Sequence, residues 1–131
     1  MEKKFYKKII AQSDADLNLI SALCSDAQIK LSEIKFLLKN KIFLILLNRI
    51  DKEDQNQKNI QSVLRFEHVN IVKSKNINQS KKEEIFNLIT IDSYKMEKKT
   101  IISLYFNKKA IINLEVEVID ITLEDQKILN D

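Results

Sequence analysis

The sequence contains neither glycine nor proline in its 131 residues, although average usage would supply roughly 12% of the two together. The absence of glycine excludes the phosphate-binding P-loop and the dinucleotide-binding GxGxxG turn, because both need positive φ and a backbone that can approach phosphate closely. It also excludes the nucleophile elbow of the α/β-hydrolases. Large classes of nucleotide-binding proteins and hydrolases are thereby removed.

Arginine is also scarce, occurring only at Arg49 and Arg65, whereas lysine, isoleucine and asparagine are abundant. This imbalance indicates a compositional bias under which other residues have replaced glycine. Turns must then be formed by asparagine, aspartate and lysine, of which Asn and Asp best tolerate the left-handed region among residues with a Cβ. An asparagine between apolar runs, such as Asn40, therefore marks a predicted turn.

A single cysteine, Cys24, excludes an internal disulfide and is compatible with a reducing cytosol. No signal peptide or membrane span is predicted, because the basic segment 1–10 develops no apolar core and the longest aliphatic or aromatic run is 42–47. The net charge of +3 is mild and its 22 basic and 19 acidic residues are interspersed, so charge alone does not indicate nucleic acid. We expect one cytoplasmic domain, 1–131.

Ser13 is predicted to cap a helix that begins at Asp14 and ends near residue 26, after a short first strand at 7–12. One apolar stripe recurs along this helix at three- and four-residue steps, formed by Leu17, Ile20, Leu23, Cys24 and Ala27. From Ile29 onward the apolar period changes to two, which is typical of strands. The strands are predicted at 34–38, 42–50, 63–73, 85–94, 100–106 and 111–123.

The strand 42–50 is apolar at both parities, so both of its faces are expected to be covered. One face would receive the helix, and the other a second sheet layer or a partner subunit, which makes a homodimer an expectation. A two-residue turn of Asn40 and Lys41 would pair this strand with 34–38 and place Phe36 opposite Ile45.

The last hairpin is predicted to have a three-residue loop, 108–110, that places Leu104 opposite Leu114. Along the following strand the apolar parity switches near Val118. Either a β-bulge or a strand that crosses from one layer to another would produce that switch.

These elements predict an α+β fold. One N-terminal helix, about 14–26, packs on a mostly antiparallel β meander of about six to eight strands, curved into a partly closed barrel or a two-layer sandwich. A pleckstrin-homology-like barrel is the alternative, although its helix normally comes last.

Five stretches resemble, in this order, a family of small bacterial single-domain proteins catalogued only as a domain of unknown function: 11–27, 47–51, 64–69, 73–77 and 114–118. The resemblance covers most of the chain. Relatives are glycine-rich where this chain has Asn76 and the turn 107–110, which fits replacement at glycine-permissive positions. The family has no known activity or catalytic residues, so the resemblance implies a one-domain protein and leaves its function open.

The two arginines suggest a polar site, because a guanidinium holds carboxylate or phosphate bidentately and lysine does not. The segments that carry them are expected on adjacent strands joined by the polar loop 51–59. One cluster is therefore predicted, either a structural ion-pair network or an anion-binding site. Its candidate residues are Asn48, Arg49, Asp51, Arg65, Glu67 and His68.

No catalytic residue, cofactor or metal site is predicted. Cys24 and His68 each occur once and nothing in the sequence brings them together, so structural roles are expected for both. Glu115 and Glu117 share one face of a strand, for which an exposed acidic surface is a commoner explanation than an acid–base pair. One Cys and one His do not make a usual zinc site, and the acids lack calcium-loop spacing.

The leading hypothesis is a non-catalytic cytoplasmic binding or protein-interaction module, acting as a homodimer or with an unidentified protein partner. The alternative is binding of nucleic acid or another anionic ligand through turn lysines together with Arg49 and Arg65. The lysine clusters are 3/4, 7/8, 73/75, 81/82, 98/99 and 108/109. A third hypothesis is an enzyme that uses Glu115, Glu117 or His68.

Overall fold

The computed structural model describes residues 6–129. Over this range the chain has one α-helix, one 3₁₀ helix and ten strands. In chain order the elements are β1 (Lys8–Ala11), α1 (Asp14–Cys24), β2 (Gln28–Lys30), the 3₁₀ helix (Leu31–Glu33), β3 (Ile34–Leu37), β4 (Ile42–Ile50), β5 (Asn59–Phe66), β6 (Val69–Lys75), β7 (Ile85–Met96), β8 (Lys99–Phe106), β9 (Ile111–Val116) and β10 (Ile121–Ile128).

The strands form one antiparallel sheet, in the order β1-β10-β5-β4-β2-β7-β8-β9-β6, with β3 paired to the side of β4. Within the described range no ladder joins the two ends of this order, so the sheet is not closed. The predicted α+β class with an N-terminal helix is confirmed. The pleckstrin-homology-like alternative would place the helix last, whereas α1 precedes nine of the ten strands.

The helix begins at Asp14, as predicted, because the Ser13 hydroxyl accepts a hydrogen bond from the Asp16 backbone N–H at 3.2 Å. It ends at Cys24, two residues before the predicted end. Asp26 there takes a positive φ of 69° and its N–H donates to the carbonyl of Leu88 in β7. The backbone thus leaves the helix to join the sheet.

The predicted strand 63–73 is two strands, because the chain turns a corner at Glu67 and His68. The segment that pairs with these two strands, β9 followed by β10, also turns at this level, between β9 and β10. Two backbone hydrogen bonds join the corners: the N–H of Glu67 donates to Asp120 at 2.9 Å, and the N–H of Glu117 to His68 at 3.2 Å. The parity switch near Val118 therefore marks a chain crossing from one half of the sheet to the other.

This corner, together with the three-residue strand β2, accounts for ten strands where the sequence predicted six to eight. The polar loop predicted at 51–59 is found between β4 and β5. The short 3₁₀ helix was not predicted from the sequence, and the connection between β6 and β7 forms turns.

Both predicted hairpin registers are wrong by two residues. Phe36 lies opposite Phe43 instead of Ile45, and Leu104 lies opposite Ile112 instead of Leu114. A shift of two keeps every side chain on the same face, so apolar matching cannot separate the two registers.

Turn geometry decides the register instead. The first turn spans 38–41 and puts the positive φ on Lys41 instead of Asn40, which lets the Lys41 carbonyl accept from Val69 at 2.8 Å. The second has three residues as predicted, but they are 107–109. The N–H of Phe106 donates to the carbonyl of Ala110 at 2.9 Å, so Ala110 is already hydrogen-bonded across the hairpin, one residue before β9 begins.

Most of the buried apolar side chains form one contiguous cluster, and Ile60 and Ile101 are buried outside it. The helix α1 packs chiefly on β7, with smaller contacts to β1 and β4, and its buried residues are Leu17, Ile20, Ser21 and Cys24. A hydrogen bond from the Ile91 N–H to the Ser21 hydroxyl, 2.9 Å, fixes the helix against β7.

Among the described residues, seven that are not glycine have positive φ: Asp26, Lys41, Gln57, His68, Asn76, Lys108 and Lys109. Holding a residue with a Cβ in the left-handed region costs roughly 1–2 kcal/mol. A glycine avoids this cost, but its greater freedom in the unfolded chain offsets part of the gain in stability. Lys109→Gly should therefore raise the free energy of unfolding by about 0.5–1 kcal/mol in urea denaturation. Lys98→Gly, in a turn without positive φ, is the control; an equal gain there would contradict this explanation.

Candidate functional site

Arg49 lies inside the core and forms an ion pair with Asp125. Its side chain and that of Asp125 are each 1% exposed, because Arg49 continues the inward parity of β4 and Asp125 that of β10. The guanidinium donates from Nε to Asp125 Oδ1 at 3.1 Å and from Nη2 to Oδ2 at 2.9 Å. Ser62 Oγ donates to the same Oδ1 at 2.7 Å. The pair joins three strands, β4, β5 and β10.

The carboxylate of Asp125 is held in its charged form. Burial alone would raise its pKa, but hydrogen bonds from Arg49, from Ser62 and from the backbone N–H of Lys7 outweigh that effect and lower the pKa below its ordinary value. Arg49 Nη1 is buried and has no hydrogen-bond partner among the described residues. The guanidinium is thus largely, though not completely, satisfied by the fold itself.

The other arginine lies on the opposite face of the sheet. Arg65 pairs with Leu44 across the ladder, points outward and contacts Glu67, with Nε to Oε1 at 2.9 Å. The predicted cluster of arginines and acids therefore divides into two ion pairs separated by the sheet. Anion binding by both arginines together is incompatible with this arrangement, since Arg49 is buried on Asp125.

The remaining candidate residues lie apart from both pairs. Asn48 is exposed at the end of β4 and, with Asp26 and Ile50, borders a cleft of about 400 Å³. The Asp51 carboxylate accepts from the Glu53 N–H at 3.1 Å within the polar loop. His68 is at the corner of the ribbon, with Nε2 3.7 Å from Asp120. The six candidates do not share one site.

The residues weighed for catalysis are placed in separate surroundings. Burial raises the pKa of the Cys24 thiol to about 12, and the nearby Arg49 charge offsets only part of this, so the thiol is protonated at neutral pH. His68 is exposed at the corner. Glu115 pairs with Lys99 at 2.9 Å and Glu117 with Lys41 at 3.5 Å. In the described range no three His, Cys, Asp or Glu residues are grouped to hold a metal ion.

Three of the lysine clusters gather at one end of the sheet. Asn76, next to Lys75, donates to the carbonyl of Lys109 at 2.8 Å, and Lys108 Nζ lies 3.8 Å from Glu84. The turn before β7 brings in two more. We call this group the lysine end: Lys75, Lys81, Lys82, Lys108 and Lys109.

The other lysine clusters lie elsewhere. Lys98 and Lys99 are at the opposite end of β8, about 25 Å away along the strand. Lys7 pairs with Glu53 at 3.0 Å on the far side of the sheet. Lys3 and Lys4 lie outside the described residues.

The outer face of β4 carries uncovered apolar side chains. In the ladder, Leu37 lies opposite Ile42 and Val63 opposite Leu46, with Leu44 between them on the same face. Leu37 is 41% exposed and the other four are half-buried. We call these five residues the outer stripe. No described element packs over it, in contrast to the inner face, where the alternate β4 residues are buried.

A family model described as Protein of unknown function (DUF2948) matches residues 7–129. No curated protein and no solved structure matches the chain. Within residues 6–129, no helix is long and apolar enough to cross a membrane.

The Arg49–Asp125 pair gives a test of a structural role. Arg49→Met leaves a buried carboxylate without its counter-charge and should lower the free energy of unfolding by about 3–5 kcal/mol. The double variant Arg49→Met/Asp125→Leu removes both charges and should recover a large part of that loss. Urea denaturation of the two single variants and the double variant measures the coupling. A double variant that loses the sum of the two single losses would show that the pair is not coupled.

Proposed function

The chain belongs to the family described as Protein of unknown function (DUF2948), and we propose that it is a non-catalytic protein-interaction module whose partner is a second copy of itself. The observation that carries the proposal is the outer stripe. Contiguous apolar side chains at the centre of a sheet face, with no covering element, are typical of protein contact surfaces.

The surroundings of the outer stripe favour a second copy as the partner. Lys35 and Arg65 both flank Leu44, and Glu124 lies opposite Val63 on the same face. A two-fold interface places the same patch on both sides, so a rim that carries both signs of charge can pair with itself. An apolar centre with a polar rim is the usual anatomy of such an interface.

The proposal of a non-catalytic role is supported by how the reactive groups are used. Cys24 is protonated in the core, and the carboxylates of Glu115 and Glu117 each face a lysine. A cytoplasmic location is part of the proposal. The free, buried thiol of Cys24 fits a reducing compartment.

The lysine end favours a second candidate function, the binding of a polyanion such as nucleic acid. Lys75, Lys81 and Lys82 form no ion pair with any described residue, so their charge is not neutralised locally. Several cations on one surface attract phosphate by releasing counterions, which makes binding fall steeply with salt.

The homodimer can be tested at the centre of the outer stripe. Leu44→Lys puts two like charges into the proposed interface, so it should convert the dimer to a monomer in size-exclusion chromatography with light scattering at about 100 µM. Ile89→Lys is the matched control, because Ile89 is 52% exposed on β7, away from the stripe. A wild-type chain that is strictly monomeric at that concentration would refute the proposal.

Polyanion binding can be tested by comparing the lysine end with the opposite end of the sheet. Replacing Lys75, Lys81 and Lys82 by alanine should lower the salt concentration at which the protein leaves a heparin column, because about three phosphate contacts are lost. The matched control replaces Lys95, Lys98 and Lys99 at the other end, an equal change in net charge. Equal shifts for the two triple variants would show that heparin binding depends on the net charge of the protein and not on the lysine end.

A further inference from the structure

A cavity of about 320 Å³ opens between β3 and β6, in the wall of the sheet. Both are edge strands: among the strands of residues 6–129, β3 pairs with β4 alone and β6 with β9 alone. At one end they are held together by the hydrogen bond from the Val69 N–H to the Lys41 carbonyl. At the other end they diverge, and the connection 76–84 lies beside the gap.

The cavity leads into the core. By register, Phe36 and Val72 point inward, since their cross-strand partners Phe43 and Leu114 are 2% and 0% exposed. Yet Phe36 and Val72 are only partly buried, and Ser74, at the next inward position of β6, is exposed. Inward residues that still contact solvent show that the core is open at this point. An uncovered apolar opening of this kind is a ligand-site geometry.

The lining is apolar at the inner end and polar at the mouth. Ile34, Phe36 and Val72 form the walls, and Ile112 lies across from Ser74. Among the described residues on the lining, the polar side chains are Ser74 and Gln79, joined by a long hydrogen bond of 3.4 Å. A bond of that length is weak and easily exchanged for a ligand atom.

The charge around the mouth is positive. Lys75 directly follows Ser74, and Lys81 and Lys82 follow Gln79 on the connection. The acids of that connection are engaged elsewhere, Glu83 with Lys30 at 3.3 Å and Glu84 with Lys108 at 3.8 Å. An anionic group at the mouth would therefore meet uncompensated cations.

We propose that this cavity binds a medium-chain aliphatic carboxylate, with the chain between β3 and β6 and the carboxylate at Ser74, Gln79 and the neighbouring lysines. The size fits, because a cavity of about 150 Å³ takes one benzene and the present volume is 320 Å³, room for an eight-carbon chain. A long-chain acid would protrude. This site is independent of the outer stripe, which lies on the opposite face of β4.

Isothermal titration with octanoate tests the proposal on the intact chain, with an expected dissociation constant of about 0.1–1 mM. Ser74→Phe should fill the mouth and weaken binding by at least about fivefold. The matched control is Lys73→Phe, the neighbouring outward position, which should leave the dissociation constant within about twofold. Retained binding in Ser74→Phe, or no heat from the wild type, would overturn the proposal.

If Ser74→Phe folds poorly, two other measurements test the site. In amide NMR spectra of the wild type, octanoate should shift the signals of Phe36, Ser74 and Gln79, and shifts confined to the outer stripe would refute the site. Two comparisons test the role of charge. Octanol should bind the wild type about two- to fivefold more weakly than octanoate does, and the double variant Lys81→Ala/Lys82→Ala should bind octanoate more weakly than the wild type by about the same factor. Octanol binding as tightly as octanoate would overturn the carboxylate assignment.

Discussion

The paired corner at 67–68 and 117–120 is the constraint on which the rest of this fold depends. Two long ribbons, β5 with β6 and β10 with β9, bend at the same level and are tied there by reciprocal hydrogen bonds between Glu67 and Asp120 and between His68 and Glu117. The bend turns one sheet back towards itself, so its inner face can enclose a core. Without it, the inward side chains of β5 and β6 would lie on a flat, exposed surface.

The same bend creates the open place in the wall. Before the corner, the chain pairs with β4 as β5. After the corner it continues as β6, which pairs with β9 and forms no ladder with β3. Val69 is held to Lys41 at the corner, and from there the two edges separate. The cavity between Phe36 and Val72 is thus a geometric consequence of bending a sheet without closing it.

Sequence periodicity predicted the helix start, the class of fold and most of the strands, because each depends on local pattern: the Ser13 cap, the stripe of α1 and the alternation in β4. It did not predict the corner, although the buried parity changes there: Leu64 and Phe66 are buried in β5, and the next buried residue is Val69, three positions after Phe66. It could not fix hairpin registers either, because a two-residue shift preserves facing. The two possible registers of each hairpin differ in the conformation of the turn. In both turns a lysine occupies a positive-φ position, where a glycine would have indicated that conformation.

The candidate site shows a similar limit. The sequence indicates Arg49 as a candidate but not its partner, because the last strand is predicted to end at residue 123, before Asp125. One signal was present: Asp125 and Ser62 each occupy positions in step with apolar residues of their strands, Leu123 and Leu64. A charged residue at an inward parity position implies a buried partner of opposite charge, and Arg49 is the only arginine at such a position.

The absence of glycine also bears on which lysines carry functional information. Lys41, Lys108 and Lys109 have positive φ, so their presence is explained by turns in a chain that replaces glycine with other residues. Lys75, Lys81 and Lys82 have no such conformation, and turn geometry does not account for them. They are also the lysines beside the cavity mouth whose charge no described acid offsets. The two anion-binding proposals therefore depend on these three cations, the homodimer depends on the outer stripe, and the turn lysines follow from backbone requirements.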